Sequence, residues 1–289
     1  MVVLRTVKAM RAWRKARGGR LAAVPTMGAL HAGHARLMEE GRKHADGVVA
    51  SVFVNPTQFG PNEDFKKYPR DEAGDLAVCE RVGVEAVFMP SPAEMYAPDA
   101  SVFVDETRLS AGLCGASRPG HFQGVCTVVL KLFNIMGAEV FLFGEKDYQQ
   151  LAVIRRMVRD LNVDVEVVGV PIVREADGLA MSSRNRYLSQ AERENALGLS
   201  RALMRAAVFA QNGERCAEVL CAEMRRCMEE HNLRVDYAEI TDGATLEPLA
   251  KIQTGCRALV AARCGLTRLI DNSGLDEEPQ NFFTKEGKT

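Results

Sequence analysis

The sequence has few aromatic residues and no excess of charge of either sign. Phenylalanine, tyrosine and a single tryptophan make up 6% of its 289 residues, and 37 Lys and Arg residues face 38 Asp and Glu residues, leaving a formal net charge of −1. Surfaces that bind nucleic acids are typically basic and often carry stacking aromatic side chains. The composition therefore disfavours a nucleic-acid partner, while local anion-binding sites stay open.

Long apolar runs and metal-binding cysteine motifs are also missing. No uninterrupted apolar run approaches the ~20 residues of a membrane-spanning helix, and the basic N-terminal segment lacks the apolar core of a secretory signal. The eight cysteines form neither a C-x-x-C pair nor a Cys/His cluster with zinc-ligand spacing. We therefore expect a cytoplasmic protein with reduced cysteines, no membrane association and no metal site built from protein side chains alone.

The order of hydrophobic and polar segments predicts an α/β fold. Short β-branched runs alternate with amphipathic helical patterns from about residue 20 to 185, which is the rhythm of βαβ units in a parallel sheet. The run at 48–54 is apolar almost throughout, as expected for a parallel strand covered on both faces. The predicted strands are 20–25, 47–54, 85–89, 139–143 and 165–170, with helices at 70–82 and 147–161.

The order of predicted helices and strands changes after Tyr187. Two long helical patterns, 190–210 and 214–231, precede strand patterns at 235–240, 258–263 and 267–271. We therefore predict a Rossmann-like, doubly wound parallel sheet in residues 1–186, a smaller α+β C-terminal domain in residues 187–272, and a poorly ordered polar tail in residues 273–289.

A loop with two histidines follows the first long predicted strand. Its sequence, PTMGALHAGH over residues 25–34, leads from strand to helix through two glycines, Gly28 and Gly33. A helix N-terminus in this position favours phosphate, and His31 and His34 are spaced to face the same group. Taken alone, the pair also fits surface histidines or half of a zinc site.

Further polar clusters follow later strands, and each has a plainer structural interpretation. Asn55 and Gln58, after the next strand, also fit an ordinary Asx/Pro turn. The GEKD turn at 144–147 also fits a helix cap. The loop 180–186, with two serines and two arginines, fits a triphosphate clamp that closes with the second domain, or a polar linker.

These motifs together resemble a known family. The histidine loop and the Met-Ser-Ser-Arg loop are similar to the HIGH and KMSKS signatures of the nucleotidylyltransferase superfamily. Within it, the motifs PTMGALHAGH, FVNPTQF, RPGHF, FGEKDYQQ and MSSRNRYLS resemble the pantoate–β-alanine ligase family in content and order. The resemblance spans about residues 20–272.

The resemblance implies an AMP-forming ligase that makes a carbon–nitrogen bond. Pantoate would attack the α-phosphate of ATP to give pantoyl adenylate and pyrophosphate, and β-alanine would then displace AMP to give pantothenate, a coenzyme A precursor. ATP would be a substrate accompanied by Mg²⁺. The resemblance also implies a homodimer formed through the N-terminal domain, with a C-terminal domain that acts as a lid.

The resemblance also assigns residues to roles. The catalytic set is His31, His34, Lys146, Ser182, Ser183 and Arg184. The residues implied in ATP binding add Met27, Gly28, Ala29, Leu30, Gly33, Gly144, Glu145, Asp147, Val173 and Met181 to that set. Binding of pantoate or β-alanine falls to Asn55, Gln58, Arg118, His121 and Gln150.

Three alternatives stay open at this point. Another adenylyl- or cytidylyltransferase would share the histidine loop but differ in the group that attacks phosphorus. A tRNA-binding synthetase relative or an RNA-binding module is disfavoured by the near-neutral charge. A catalytically inactive nucleotide-binding regulator would bind ATP without turnover.

Overall fold

The computed structural model describes residues 1–61 and 63–275, and contacts divide the chain into two compact units. The first unit contains Met1–Glu145 and Gln149–Pro171. The second contains Lys146–Tyr148 and, among the described residues, 172–275. The boundary predicted after Arg186 therefore lies earlier, after Pro171, because the segment from 172 to 186 packs with the C-terminal elements.

The first unit is built on a six-stranded parallel sheet with strand order β1-β4-β3-β2-β5-β6. The chain moves outward from β2 through β3 to β4, and then returns to place β5 and β6 on the other side of β2. Because crossovers between parallel strands are right-handed as a rule, connections that run in opposite directions from β2 put helices on both faces, as in a doubly wound sheet. The strands are β1 (Val2–Leu4), β2 (Leu21–Thr26), β3 (Gly47–Val52), β4 (Ala86–Phe88), β5 (Val140–Gly144) and β6 (Glu166–Val170).

Helices and short 3₁₀ turns connect these strands. The longest, α6, is almost entirely apolar on its buried positions and ends at Gly137, which has φ +58° as a left-handed C-cap. The helices are α1 (Val7–Arg17), α2 (Ala32–Gly41), α3 (Glu72–Arg81), α4 (Pro92–Met95), α5 (Cys114–Ser117), α6 (His121–Met136) and α7 (Tyr148–Asp160), with 3₁₀ turns at Pro56–Gln58, Asp64–Lys66 and Glu145–Asp147.

The centre of the sheet confirms the prediction from the apolar runs. Val48 and Val49 of β3, and Phe141 and Leu142 of β5, are neighbours whose side chains point to opposite faces of the sheet, and all four are 1% exposed or less. Their burial follows from a strand covered on both faces. All five predicted strands are present, whereas the three-residue edge strand β1 is too short to produce a hydrophobic pattern.

The second unit combines three helices with a separate three-stranded antiparallel sheet in the order β7-β8-β9. The helical pattern predicted as one element at 190–210 forms two helices, separated at Leu197. The elements are a 3₁₀ turn at Ser183–Tyr187, α8 (Gln190–Ala196), α9 (Gly198–Gln211), α10 (Ala217–Glu230), β7 (Arg234–Asp242), β8 (Cys256–Cys264) and β9 (Thr267–Gly274).

The start of the predicted tail is wrong. Ser273 and Gly274 belong to β9, where they pair with Ala258 and Arg257 of β8, and Leu275 is 5% exposed. Backbone pairing holds these residues although their side chains are small or polar. The rest of the predicted tail, 276–289, lies outside the described residues.

The eight cysteines are free thiols, and most of them fill the cores of the two units. Burial raises the pKa of Cys126 to about 12 and that of Cys79 to about 11. These thiols are therefore protonated and unreactive at neutral pH. Within the described ranges, no helix is both long and apolar enough to cross a membrane.

A buried ion pair joins the beginning of the second unit to its last strand. Arg174 donates to both carboxylate oxygens of Asp271 at 2.7 and 3.0 Å, and the two side chains are 7% and 1% exposed. Arg174 also donates to the carbonyl oxygens of Gly178 and Asn272. Because both charges are desolvated, each depends on the other for compensation.

We expect Asp271→Ala to lower the free energy of unfolding of the second unit by about 3–5 kcal/mol, because it leaves the Arg174 charge buried without its carboxylate. Urea unfolding followed by circular dichroism measures this change. The control is Arg226→Ala, which removes two surface ion pairs on α10, with Glu223 and with Glu230, and is expected to cost at most about 1 kcal/mol. Equal effects of the two substitutions would contradict this interpretation.

Candidate active site

The histidine loop lies at the carboxyl end of β2, beside the point where the strand order reverses. In doubly wound sheets this is the position where ligands bind. The loop turns sharply through two residues with positive φ, Gly28 at +82° and Ala29 at +52°. A side chain at position 28 would place its Cβ 2.7 Å from Asp75 Oδ2, so the loop requires glycine there.

A buried carboxylate holds this turn through hydrogen bonds to its backbone. Asp75, on α3, is 3% exposed and accepts hydrogen bonds from two consecutive backbone N–H groups. Ala29 N donates to Oδ2 at 3.1 Å, and Leu30 N donates to Oδ1 at 2.7 Å. Hydrogen bonds to a charged acceptor are stronger than neutral ones, so Asp75 fixes the path of the chain into α2.

The two histidines cap the helix that follows. His31 is the N-cap of α2, and its Nδ1 accepts from Gly33 N at 3.1 Å. His34 Nδ1 in turn accepts from His31 N at 3.3 Å, which completes a reciprocal capping box. The ring centroids lie 4.1 Å apart, so both imidazoles occupy the same side of the first helical turn.

This capping fixes the tautomer of both rings. A nitrogen that accepts a hydrogen bond carries no proton, so each ring holds its N–H at Nε2. Two Nε2–H donors at a helix N-terminus suit a phosphate or the negative charge that develops on phosphorus. The N–H of Gly33 is already bonded to His31 Nδ1, so here the rings, rather than this backbone group, supply the donors.

The turn after β3 places two amides next to the histidine loop. Asn55 is 1% exposed, and its Nδ2 donates to Gln58 Oε1 and to the carbonyl oxygen of Gly124, both at 3.1 Å. Its Oδ1 accepts from Tyr96 Oη at 2.8 Å. Burial raises the pKa of Tyr96, which keeps the phenol protonated as a donor. With both ends of its amide bonded inside the protein, Asn55 holds Gln58 in place.

Gln58 connects this turn to the histidine loop. Its Nε2 donates to Met27 Sδ at 3.0 Å. The turn can reach this position because α6 has glycine at 124, where a Cβ would lie 2.4 Å from the carbonyl oxygen of Thr57. The structure therefore brings the predicted residues that follow β2 and β3 together at one edge of the sheet.

Arg118 and His121 support the same turn from its other side. Arg118 forms a two-pronged ion pair with Glu63 at 2.6 and 2.8 Å and donates to His121 Nε2 at 2.9 Å. His121 therefore carries its proton on Nδ1, which faces the carbonyl oxygen of Gln58 at 2.9 Å. The resemblance implies substrate contact for both residues, and in the structure both also bond to protein groups at the Gln58 turn.

The remaining predicted residues of the first unit lie near the end of β5. Gly144 is the last residue of β5, and a Cβ there would meet no atom within 4 Å, which leaves open space beside the backbone. Glu145 begins the 3₁₀ turn that follows. Gln150 lies in the first turn of α7 and is partly buried.

The second unit carries the other predicted nucleotide-binding residues. Lys146 Nζ lies 3.8 Å from Asp147 Oδ1 in the 3₁₀ turn. Met181 N donates to the carbonyl oxygen of Val173 at 3.0 Å. Ser182 caps the 3₁₀ turn 183–187 by accepting from Arg184 N at 3.3 Å, and Ser183 is 7% exposed. The hydroxyl groups of Ser182 and Ser183 and the guanidinium of Arg184 thus lie on a short, capped turn.

Sequence reasoning missed the residues that support the site. Asp75 lies on a helix with no clear amphipathic pattern in its sequence, and Glu63 and Tyr96 lie in segments rich in turn residues. No motif marks a carboxylate whose partners are backbone N–H groups 45 positions away. Gly124, inside an apolar helix, is the single signal that another backbone approaches closely.

The fold and the site are typical of α/β enzymes that bind nucleotides at the carboxyl edge of a parallel sheet. A family model described as pantoate-beta-alanine ligase matches residues 2–274. A pantothenate synthetase of Myxococcus xanthus is 53% identical over 282 residues, covering 96% of this chain and 97% of that protein. The chain therefore belongs to the pantoate-beta-alanine ligase family.

Solved structures agree with this assignment. The pantothenate synthetase of Thermus thermophilus superimposes with a TM-score of 0.88 at 48% identity, covering 95% of this chain and 99% of that chain. A pantoate-beta-alanine ligase of Francisella tularensis, complexed with beta-gamma ATP and beta-alanine, gives 0.79 at 30% identity, covering 96% and 99%.

We expect Asp75→Asn to lower the free energy of unfolding by about 2–4 kcal/mol, because the amide replaces a charged acceptor and turns an N–H toward a backbone N–H. Urea unfolding measures the change. Glu80→Gln is the matched control, since Glu80 is exposed on the same helix and its replacement should cost no more than about 0.5 kcal/mol. Similar values for the two variants would show that Asp75 does not hold the loop.

The Glu63 carboxylate makes stability at this turn depend on pH. Burial alone would raise the pKa of Glu63, but the hydrogen bonds and charge of Arg118 outweigh it and lower this pKa to about 2. The ion pair therefore stabilises the fold above the usual glutamate pKa, and this contribution is lost as pH falls toward 2. We expect Glu63→Gln to cost about 2 kcal/mol at pH 7.

That cost should diminish between about pH 4.5 and 2, as the wild-type carboxyl becomes protonated. Thermal unfolding of wild type and Glu63→Gln across this range gives the comparison. A difference in stability that does not change with pH would contradict the charge-based explanation.

Proposed function

We propose that this protein condenses pantoate with β-alanine, using ATP and releasing AMP and pyrophosphate, through a pantoyl-adenylate intermediate. The observation that carries the proposal is the pair of histidines fixed as Nε2–H donors at the N-terminus of α2, next to the Gln58 amide. Membership of the ligase family and the relative complexed with a form of ATP and beta-alanine support it.

The first step forms an anhydride. A carboxylate oxygen of pantoate attacks the α-phosphorus of ATP, the bond from that phosphorus to the bridging oxygen breaks, and pyrophosphate leaves. This in-line displacement needs orientation and charge stabilisation more than a covalent nucleophile. We assign charge stabilisation to the Nε2–H groups of His31 and His34, which are already oriented by their bonds to the backbone.

The second step forms the amide bond. The β-alanine nitrogen attacks the acyl carbon of pantoyl adenylate, the bond from that carbon to the AMP oxygen breaks, and the nitrogen loses a proton. AMP is a good leaving group, so the protein's main task is to hold the two reactants in line.

Pantoate recognition is assigned to amide side chains of the first unit. An amide can donate to the carboxylate and accept from the hydroxyl groups of pantoate, and Gln58 and Gln150 supply such groups. Asn55, Arg118 and His121 are also assigned to the binding of pantoate or β-alanine, and each is bonded to the Gln58 turn.

The resemblance to the family assigns ATP binding to two sets of residues. The histidine loop (Met27, Gly28, Ala29, Leu30 and Gly33) and the β5 turn (Gly144 and Glu145) serve in the first unit. In the second unit, Lys146, Ser182, Ser183 and Arg184 are assigned to the phosphates, because cations and hydroxyls match phosphate oxygens. Ribose and adenine are assigned to Asp147, Val173 and Met181, largely through backbone groups.

Mg²⁺ is proposed to accompany ATP, where it would neutralise charge on the phosphate oxygens. Throughout residues 1–61 and 63–275, no group of three or more His, Cys, Asp or Glu side chains is arranged to hold a metal ion. We therefore place the ion on the phosphates of ATP rather than in a cage of protein ligands.

We also propose a homodimer formed through the first unit, and a cytoplasmic location. Support for the dimer comes from the segment 101–104, where Val102 and Phe103 are 82% and 52% exposed. Adjacent exposed apolar residues of this kind are often covered by a partner. Sedimentation equilibrium and cell fractionation measure these two properties.

The test of function is AMP release by the purified protein given ATP, Mg²⁺, pantoate and β-alanine, with each organic substrate omitted in turn. AMP and pantothenate should both appear in the complete mixture. ATP binding without turnover of pantoate would instead favour another adenylyl- or cytidylyltransferase, or an inactive nucleotide-binding regulator.

We expect His34→Ala to reduce turnover by about 10²- to 10³-fold with the fold intact, because it removes one donor to the developing charge. His44→Ala is the control, since His44 lies just beyond the end of α2 and faces Glu40 and Glu166. Circular dichroism checks the fold of both variants. Turnover of His34→Ala equal to that of His44→Ala would remove His34 from the mechanism.

A further inference from the structure

Lys146 is attached to the second unit, although in the chain it lies between two elements of the first, β5 and α7. Its carbonyl oxygen accepts from Asn272 Nδ2 at 2.9 Å. Two residues later, Tyr148 Oη donates to the carbonyl oxygen of Gly243 at 2.9 Å, and the Arg257 guanidinium lies 4.5 Å from the centre of the Tyr148 ring. The backbone around Lys146 is thus held by the C-terminal sheet.

Asn272 is built to hold this position. It lies in β9, is 2% exposed, and its Oδ1 accepts from Arg257 Nε at 2.8 Å. Because the guanidinium can only donate, this bond fixes which end of the amide faces Arg257 and directs Nδ2 to the carbonyl oxygen of Lys146. The backbone of Asn272 is also fixed, since its N–H donates to Asp271 Oδ1 at 2.8 Å.

The same part of β9 holds the segment that leads to the second group of phosphate-binding candidates. Arg174, paired with Asp271, donates to the carbonyl oxygen of Asn272 and forms a β-bridge with Ala180. The loop Met181–Arg184 begins at the next residue. One buried network therefore reaches both the backbone of Lys146 and the base of this loop.

We propose that Asn272 is a positioning residue, which fixes Lys146 relative to the loop Met181–Arg184. This inference rests on the proposed function, which assigns both segments to the phosphates of ATP. Phosphoryl chemistry depends on where the charges lie, and a displacement of about 1 Å can cost about 100-fold in rate. Asn272 acts through the Lys146 backbone and does not itself touch the nucleotide in this account.

The experiment is a double-mutant cycle between Asn272→Ala and Lys146→Ala, measured as the single-turnover rate of pantoyl-adenylate formation. Asn272→Ala should slow this rate about 10-fold, and it should slow the Lys146→Ala enzyme less than about 2-fold further. Asp236→Ala is the matched control, because it breaks an ion pair with Arg268 in the same sheet. It should leave the rate within about 2-fold of wild type.

Two results would overturn the inference. One is an Asn272→Ala rate equal to wild type. The other is an equal loss in the wild-type and Lys146→Ala backgrounds, which would show a general structural effect rather than one that acts through Lys146. Loss of the rate in the Asp236→Ala control would likewise point to a general dependence on the sheet.

Amide hydrogen exchange separates this inference from the proposed function. In Asn272→Ala, a peptide covering residues 145–148 should exchange faster, while peptides from β8 should exchange at the wild-type rate. If wild type forms no pantoyl adenylate, the proposed function fails and this comparison still decides the positioning role. Unchanged exchange in residues 145–148 would reject that role whether or not the enzyme is active.

Discussion

The candidate site depends on one carboxylate that accepts hydrogen bonds from two backbone N–H groups. Asp75 accepts hydrogen bonds from Ala29 N and Leu30 N in a turn that contains two residues with positive φ. Without this carboxylate, these two buried N–H groups would have no charged acceptor. This turn delivers His31 to the N-cap of α2, and the cap orients His34. Asp75, on α3, therefore helps to set the orientation of both imidazoles and of their Nε2–H groups through the backbone of this turn.

In the second unit, a different hydrogen-bond network holds the candidate binding segments in place. Its candidates for phosphate binding come from two distant parts of the sequence, the turn at Lys146 and the loop 181–184. Arg174, Asp271 and Asn272 join the bases of both segments to β9. Buried charges of this kind are costly unless every partner is present, so the network defines a single arrangement. In both units, buried polar groups hold short segments that are not fixed by α-helix or sheet hydrogen bonds.

Much of the fold and part of the site could be predicted from the sequence. Buried parallel strands produce apolar runs such as 48–54, and the strand–loop–helix pattern around His31 and His34 survives in the structure because local spacing creates it. The protein partners of Asn55, Arg118 and His121 could not be predicted, because they are the Gln58 turn and residues far along the chain. The boundary after Pro171 could not be predicted for the same reason, since the pairing of Arg174 with Asp271 leaves no local pattern.

In the proposed mechanism, a pantoate carboxylate oxygen attacks the α-phosphorus of ATP. Turnover with pantoate labelled with ¹⁸O in its carboxylate, followed by mass spectrometry of the nucleotide product, tests it most directly. We expect AMP that carries one ¹⁸O atom, because the anhydride oxygen leaves with AMP when β-alanine attacks the acyl carbon. Pantothenate formed together with unlabelled AMP, or with ADP and labelled phosphate, would contradict it.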